Sequence, residues 1–351
     1  MGVSSNLQID FIAYIQRLLV EGEFTATYKY ALLHALADIC IESPLSDDPN
    51  QPLQITLPTI VEKFIAIYWQ HALPFSSIEQ DQSALLQQSS GKQAKIITEL
   101  NRCHNLNIKN INKLKQSSNW SSIYKDTLRV IKEGPLWRLQ ILAKKEECFL
   151  YAHQKRGDYI TLNSGIAYCF RRFYELVVQI SRNAWIDKIQ SIPINQKLIG
   201  KQAQLDPFLF GINRQAITKA KPILEDIQKG KCFYCQKPLN SKTEVDHFIP
   251  FAKYANDLGH NFVAAHSSCN NNKRDYLAAV THRDRWYEQN IINHKNLLEN
   301  ELSPYFNCDA KRSEAVATWA YQIAVNNGSQ LWLAKNCFED INSLKTNSVI
   351  I

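Results

Sequence analysis

The chain has 351 residues, of which 45% are hydrophobic and 21% charged, and its formal net charge is +7. Such a composition is typical of a globular protein with a sizeable core, and it excludes a small scaffold that needs disulfide staples to fold. The length predicts two domains, with three as the alternative. The mildly basic charge permits a nucleic-acid partner but does not require one.

The chain shows no sign of export or membrane insertion. Most of its nine cysteines are scattered through apolar or helical segments, which is typical of free thiols in a reducing cytosol. The first 22 residues predict an amphipathic helix rather than a signal peptide. No run of about 18 apolar residues occurs, so no membrane span is expected. We therefore expect a cytoplasmic protein that does not contact a membrane.

The first 200 residues predict mainly helices, because apolar residues recur at three- and four-residue intervals. Short segments rich in β-forming residues interrupt this pattern at 135–142, 146–152 and 158–162. A long amphipathic helix is predicted at 164–192, followed by a linker at 193–204. The order of helices and strands resembles a winged-helix arrangement, and a helical scaffold with a β-hairpin is the alternative.

One basic stretch, residues 100–125, contains no acidic residue. It combines five basic side chains with Trp120 and Tyr124, a mixture that suits phosphate and base contacts. It is also rich in Asn and Ser, as a solvated loop would be. Both interpretations stay open.

Four potential metal ligands occur as two pairs in the second half of the chain. Cys232 and Cys235 form a C-x2-C pair, and His266 and Cys269 form an H-x2-C pair. Two such pairs on short turns can present four donors to one tetrahedral zinc ion. The alternative, two pairs of incidental core residues, is disfavoured by the combination. A closed site of this type holds structure and does no chemistry itself.

The segment between the pairs carries candidate catalytic residues. EVDHFIP, residues 244–250, predicts a strand with Asp246 and His247 at its centre, and Asn270 should begin a helix after Cys269. Carboxylate and amide oxygens brought together in this way suit a hard cation such as Mg²⁺. An imidazole can accept a proton from water near neutral pH. The alternatives are an edge-strand acid at Asp246 and a helix N-cap at Asn270.

The stretch CFYC, EVDHFIP, DLGHNFV and HSSCNNNK, residues 232–273, closely resembles the HNH endonucleases, also called ββα-metal or His-Me finger nucleases. The resemblance covers about 45 residues and includes the zinc clasp found in one branch of the family. This chain departs from many members by carrying His266 where they carry a cysteine.

The resemblance implies a role for each matching residue. His247 would be the general base that activates water, and Asp246 and Asn270 would bind the catalytic Mg²⁺ or Mn²⁺. Asn261 would steady the loop and the base, with a plain turn residue as the alternative. Lys273 and Arg274 are expected to face nucleic-acid phosphates, and a solvated helix face is the alternative for both.

The sequence therefore predicts an α+β, mostly helical protein that ends in a ββα-metal domain followed by helices. Residues 1–195 would select the substrate or bind a partner protein, 205–300 would form the HNH nuclease domain, and 301–351 a helical extension. The expected function is metal-dependent hydrolysis of phosphodiester bonds in DNA, in bacterial defence, restriction or mobile-element biology. A non-catalytic zinc module that binds nucleic acid, and the same nuclease acting on RNA, are the alternatives.

Overall fold

The computed structural model describes residues 3–76, 83–153, 157–199, 204–211 and 217–341. This part of the chain is mostly helical, and its strands pair into two-stranded sheets. The predicted fold class, α+β and mainly helical, is confirmed. None of the helices described is both long enough and apolar enough to cross a membrane.

The chain divides into two compact units, Met1–Ile41 with Ser46–Gly211, and Glu42–Leu45 with Ile212–Ile351. Part of the predicted linker is helical, at Pro193–Gln196, and residues 200–203 lie outside the described residues. The expected division of function among 1–195, 205–300 and 301–351 stays a prediction.

Helices dominate the N-terminal 211 residues. They are α1 (Ser5–Glu21), α2 (Tyr28–Glu42), α3 (Leu57–His71), α4 (Lys95–Asn105), α5 (Ile111–Gln116), α6 (Trp120–Glu133), α7 (Pro135–Arg138), α8 (Ile166–Arg172), α9 (Tyr174–Ser191), α10 (Pro193–Gln196) and α11 (Leu205–Phe210).

Short strands join these helices. They are β1 (Leu53–Thr56), β2 (Phe75–Ser76), β3 (Ser83–Ala84), β4 (Ile141–Leu142), β5 (Lys145–Glu146) and β6 (Tyr159–Leu162). The pairs β1–β6, β2–β3 and β4–β5 are all antiparallel.

Two sequence predictions for this unit are wrong in detail. The segment 135–142 begins with helix α7 rather than a strand, because Pro135 occupies the first helical position, where its missing N–H costs nothing. The helix predicted at 164–192 is interrupted at Phe173, between α8 and α9. The Phe173 ring stacks on Phe11 of α1 at 6.3 Å between centroids, a tertiary contact that the helical periodicity does not contain.

The first unit buries a polar cluster among its helices. Asp38 accepts a hydrogen bond from Tyr174 at 2.7 Å, and its other carboxylate oxygen lies 3.4 Å from Nζ of Lys63. His34 lies 3.7 Å from the same carboxylate. His71 packs among rings, with centroid distances of 4.8 Å to Trp185 and 5.1 Å to Phe210.

The second unit combines helices with two hairpins. Its elements are α12 (Lys221–Ile227), β7 (Thr243–His247), a 3₁₀ turn (Gly259–Asn261), β8 (Phe262–His266), α13 (Ser267–Lys273), α14 (Val280–Trp286), a π-helical segment (Tyr287–Asn293), α15 (Lys295–Leu302), α16 (Ala310–Asn327), β9 (Gln330–Ala334) and β10 (Cys337–Asp340).

The first hairpin forms the centre of this unit. Strands β7 and β8 pair antiparallel, with Thr243 opposite His266 and His247 opposite Phe262, and α13 follows β8 directly. Phe262 and Ala264 of β8 are buried in one hydrophobic cluster with Leu224 of α12 and Leu298 of α15. The order β7–β8–α13 is the ββα arrangement that the sequence predicts.

The helical extension predicted over residues 301–351 is wrong for residues 330–340. The segment forms the hairpin β9–β10, with Asn336 in the left-handed region at φ 58°. Asn tolerates this conformation better than most residues and favours a tight turn. As far as residue 341, where the described residues end, the C-terminal extension contains a helix followed by a hairpin.

Candidate active site and metal clasp

The two predicted ligand pairs come together at one end of the β7–β8 hairpin. The four ligand atoms of Cys232, Cys235, His266 and Cys269 all lie within 4.8 Å of one another. A tetrahedral zinc ion with Zn–S bonds of about 2.3 Å would place its sulfur ligands roughly 3.8 Å apart. The cluster therefore needs only a small contraction to hold zinc.

A hydrogen bond sets the tautomer of His266 that a metal ligand requires. Its Nε2–H donates to the carbonyl of Pro238 at 2.9 Å, so the lone pair is left on Nδ1. Nδ1 lies 3.3 Å from Sγ of Cys235. A carbonyl that fixes the tautomer of a histidine ligand is a common outer-shell feature of zinc sites.

Without a cation, the close approach of the three cysteines disfavours the thiolate form, because negative charges on neighbouring sulfur atoms repel one another. Burial, and then the charges of Cys232 and Cys235, raise the pKa of Cys269 to about 12. A divalent cation would offset this repulsion, since zinc binds the thiolate form. The donor set and its crowding both fit zinc.

The knuckle between the first two cysteines also reaches the predicted catalytic residues. Tyr234 lies between Cys232 and Cys235, and its hydroxyl donates to Oδ2 of Asp246 at 2.6 Å. Burial, and then the charge of Asp246, hold the pKa of Tyr234 well above its usual value. The phenol therefore stays a hydrogen-bond donor to the carboxylate.

Lys273 does not face solvent, contrary to the expectation of a phosphate contact. Its side chain has no exposed surface, and its ammonium lies 3.0 Å from Oδ2 of Asp246 and donates to the carbonyl of His247 at 3.0 Å. The Lys273 ammonium therefore binds both Asp246, through its carboxylate, and His247, through its backbone carbonyl. Arg274, the next residue, is exposed and has φ 50°.

His247 points to a partner that the sequence interpretation did not include. Its Nε2–H donates to Oδ1 of Asp257 at 2.8 Å, and its ring packs against Phe251 and Phe262 at 5.3 and 5.0 Å between centroids. The carboxylate fixes the ring and leaves the lone pair on Nδ1. Asp257 opens the DLGHNFV segment, and a carboxylate in that motif was the signal that could have identified it.

Asn261 fixes the backbone that follows β7. Its Oδ1 accepts from the N–H of Ile249 at 2.8 Å, and its Nδ2 donates to the carbonyl of Ile249 at 2.9 Å. The backbone carbonyl of Asn261 also accepts from the N–H of Phe248 at 2.7 Å. The side chain is buried, and it steadies the segment directly after His247.

Asn270 lies in the first turn of α13, and its Nδ2 donates to Oε2 of Glu244 at 2.9 Å. Oδ1 of Asn270 and Oδ1 of Asp246 take part in no hydrogen bond within the described ranges. Two oxygens of the kind that Mg²⁺ prefers are therefore left without a donor. The structure thus groups Asp246 with Lys273 and Tyr234, His247 with Asp257, and Asn270 with Glu244.

His260 precedes Asn261 and suggests a solvated loop histidine by sequence, but it is fully buried. Its Nε2–H donates to the carbonyl of Lys295 at 3.0 Å, while its own carbonyl accepts from Trp286 and Asn290. Burial lowers its pKa. His260 therefore links the 3₁₀ turn to the helices after α13, and its contacts are structural.

Comparisons with known proteins give two family matches. The family described as "Domain of unknown function (DUF8808)" matches residues 9–206, and the HNH endonuclease family matches residues 232–275. The predicted HNH resemblance is confirmed. No curated protein and no solved structure matches the chain.

Proposed function

We propose that this chain, which belongs to the family of the domain of unknown function DUF8808, is a metal-dependent HNH nuclease that hydrolyses phosphodiester bonds in DNA. The proposal rests on the contacts around β7. Asp257 holds the ring of His247. Asp246, the preceding strand residue, and Asn270, which donates to Glu244 of the same strand, each keep one oxygen without a donor in the described part of the chain. The HNH match over residues 232–275 supports the same reaction.

His247 would act as the general base. Because its Nε2–H is held by Asp257, Nδ1 is the nitrogen that would take a proton from the attacking water. The water oxygen would form a bond to phosphorus as the bond to the leaving sugar oxygen breaks, and the family resemblance implies 5′-phosphate and 3′-hydroxyl ends.

Asp246 and Asn270 would hold a catalytic Mg²⁺ or Mn²⁺ through their free Oδ1 atoms. When bound, such an ion stabilises the charge that develops on the scissile phosphate and the leaving oxygen. Lys273 and Tyr234 would keep Asp246 in place by occupying its other oxygen. In this arrangement Lys273 is a positioning residue, and Arg274 is the exposed cation that we propose for nucleic-acid phosphates.

Cys232, Cys235, His266 and Cys269 would hold a structural zinc ion. All four positions of a tetrahedral site are filled by protein donors, so the ion would have no open position for water or substrate. Its role would be to fix the knuckle against the start of α13.

The first unit would select the substrate or bind a partner protein, and a role in bacterial defence, restriction or mobile-element biology is an expectation from the resemblance alone. The proposal also includes a cytoplasmic location.

The test is cleavage of supercoiled plasmid, linear duplex, single-stranded DNA and RNA by the purified protein, with and without Mg²⁺ or Mn²⁺. His247→Ala should lose about 10²–10⁴-fold in rate while keeping its fold. The matched control is His294→Ala, which changes a histidine of the same unit at the N-cap of α15.

Wild-type cleavage by His247→Ala, with contaminating nuclease excluded, would contradict the assignment. Binding without cleavage by the wild-type protein under every metal condition would favour the alternative of a non-catalytic zinc module. Cleavage of RNA alone would keep the site and change the substrate.

A further inference from the structure

The first unit contains a cavity that the nuclease site does not involve. Its volume is about 280 Å³. Its wall includes Glu23, which precedes α2, Tyr28 and Lys29 from the start of α2, and Trp137 and Arg138 from α7. We call it the α2 pocket. Protein cavities that hold small ligands measure about 300–1,000 Å³, so this one suits a ligand at the small end of that range.

Lys29 is a buried cation that forms no ion pair within the described residues. Only 7% of its surface is exposed, and no carboxylate in the described part of the chain lies within 4.0 Å of Nζ. Its recorded neighbour is the ring of Phe24, at 5.2 Å from Nζ to the centroid. An unpaired buried ammonium is costly unless an anion compensates it.

The electrostatic surroundings of Lys29 add to this cost. Burial lowers the pKa of Lys29 to about 8, the charge of Glu23 opposes that shift, and the charge of Arg138 reinforces it. Two cations thus approach one cavity. An anion in the pocket would restore the pKa of Lys29 and offset both positive charges.

The beginning of α2 offers further donors. The hydroxyl of Thr27, the residue before the helix, is bound to Tyr68 at 2.8 Å and so does not cap it. The amide N–H groups of Tyr28, Lys29 and Tyr30 have no acceptor among the residues described. Free amides and the positive end of a 15-residue helix favour a bound anion.

Trp137 supplies a planar apolar wall. Its Nε1–H donates to the carbonyl of Glu133 at 3.0 Å, which fixes the ring, and the guanidinium of Arg138 lies 4.7 Å from the ring centroid. Arg and Trp side by side can bind a phosphate and a planar base. Glu23 adds an acceptor for sugar hydroxyl groups.

We propose that the α2 pocket binds a nucleoside monophosphate, with the phosphate against Lys29, Arg138 and the first amides of α2, and the base against Trp137. A phosphate monoester carries a charge of about −1.5 to −2 near neutral pH, which matches two cations. The volume is too small for a dinucleotide or a nucleic-acid strand. The inference is independent of the nuclease activity.

The experiment is calorimetric titration of the full-length protein with adenosine, guanosine, cytidine and uridine 5′-monophosphates. Inorganic phosphate, the free nucleosides and a 5′-phosphorylated oligonucleotide serve as separate titrants. At least one mononucleotide should bind saturably with one site per chain, and should bind more tightly than inorganic phosphate or the matching nucleoside.

Lys29→Met removes the charge and keeps the side-chain length. It should weaken binding about tenfold to a hundredfold, without lowering the melting temperature of the free protein. Arg138→Gln, at an exposed position, should weaken binding about twofold to fivefold and covers the case in which Lys29→Met fails to fold. Lys113→Gln, an exposed lysine of the same unit, is the matched control and should bind as the wild type does.

Several outcomes would overturn the proposal. These are no binding of any mononucleotide, equal affinity for inorganic phosphate, oligonucleotide binding that is tighter than mononucleotide binding and is weakened by Lys29→Met, and unchanged mononucleotide binding by both folded variants.

Discussion

Lys273 gives the sharpest test of the arrangement around β7. Lys273→Met would leave Asp246, which is only 8% exposed, without the ammonium that lies 3.0 Å from its carboxylate. Breaking a buried ion pair by removing one partner costs about 3–5 kcal/mol. The lost hydrogen bond to the carbonyl of His247 belongs to the same loss and should not be counted again.

We therefore expect the free energy of unfolding to fall by about 3–5 kcal/mol. For a unit of this size, about 2–4 °C is lost per kcal/mol, so the melting temperature should drop by about 10 °C. Urea and thermal denaturation of the full-length protein, followed by circular dichroism, would measure both. Lys242→Met, an exposed lysine of the same hairpin, is the matched control and should change little.

Divalent cations should affect the two proteins differently. Without the ammonium, Asp246 gains more from a bound cation, so Mg²⁺ or Mn²⁺ should stabilise Lys273→Met more than the wild type. The double variant Asp246→Asn, Lys273→Met should be more stable than Lys273→Met alone, because no unpaired charge remains buried. Unchanged stability of Lys273→Met together with weakened DNA binding would refute this reasoning and restore Lys273 as a phosphate contact.

Three further predictions concern other parts of the molecule. Asp257→Asn should lower the cleavage rate by about 10²–10⁴-fold with little change in DNA affinity, because an amide can donate to Nε2 of His247 and move the proton to Nδ1. Asp275→Asn, at an exposed position, is the control. An unaltered rate for Asp257→Asn would contradict the role of Asp257. Elemental analysis should find about one zinc per chain, and Cys235→Ser should lose the zinc and melt at a lower temperature; a metal-free protein that melts normally would contradict the clasp. Acid should destabilise the first unit. Burial lowers the pKa of His34 to about 4. Burial, and then the charge of His34, lower the pKa of His71 to about 3.

The sign and window of the acid effect follow from these shifts. Both histidines have folded pKa values below the unfolded value of about 6.5, so the unfolded chain binds more protons as the pH falls. Stability is fully present above about pH 6.5 and declines below it, by on the order of 2 kcal/mol per histidine at pH 5. Denaturation at pH 7 and pH 5 measures the loss, and His71→Phe should reduce it. Equal losses in the variant and the wild type would contradict the reasoning.

The sequence predicts the site better than it predicts the fold around it. The paired metal ligands and the strand carrying Asp246 and His247 follow from local spacing, and the HNH match extends over the same 44 residues. The helix spacing predicts an exposed Lys273, because it does not reveal Tyr234 and Asp246, which contact Lys273 only in the folded chain. The contact of Asp257 with His247 is hidden for the same reason, since the two residues are ten positions apart on different elements.

The C-terminal hairpin shows a different limit. Leu331, Trp332 and Leu333 form a short apolar run that fits a buried strand as well as a helix, and Lys335 and Asn336 supply the turn that separates the alternatives. These two turn residues favour the hairpin. By contrast, the interruption at Phe173 involves no proline or glycine, and the contact at this position is with Phe11 of α1, far away in the sequence.

Tyr234 has a consequence for the proposed metals, because it belongs to the zinc knuckle and also holds the carboxylate of Asp246. Because one residue contacts both proposed sites, the binding of zinc and the binding of Mg²⁺ would be coupled, and the coupling free energy would act equally in both directions. If bound zinc raises the affinity of the site at Asp246 for Mg²⁺ by some factor, bound Mg²⁺ must raise the affinity of the cysteine and histidine ligands for zinc by the same factor. Retention of zinc against a chelator would then report on occupancy of the catalytic site, and Tyr234→Phe would uncouple the two without removing a ligand from either.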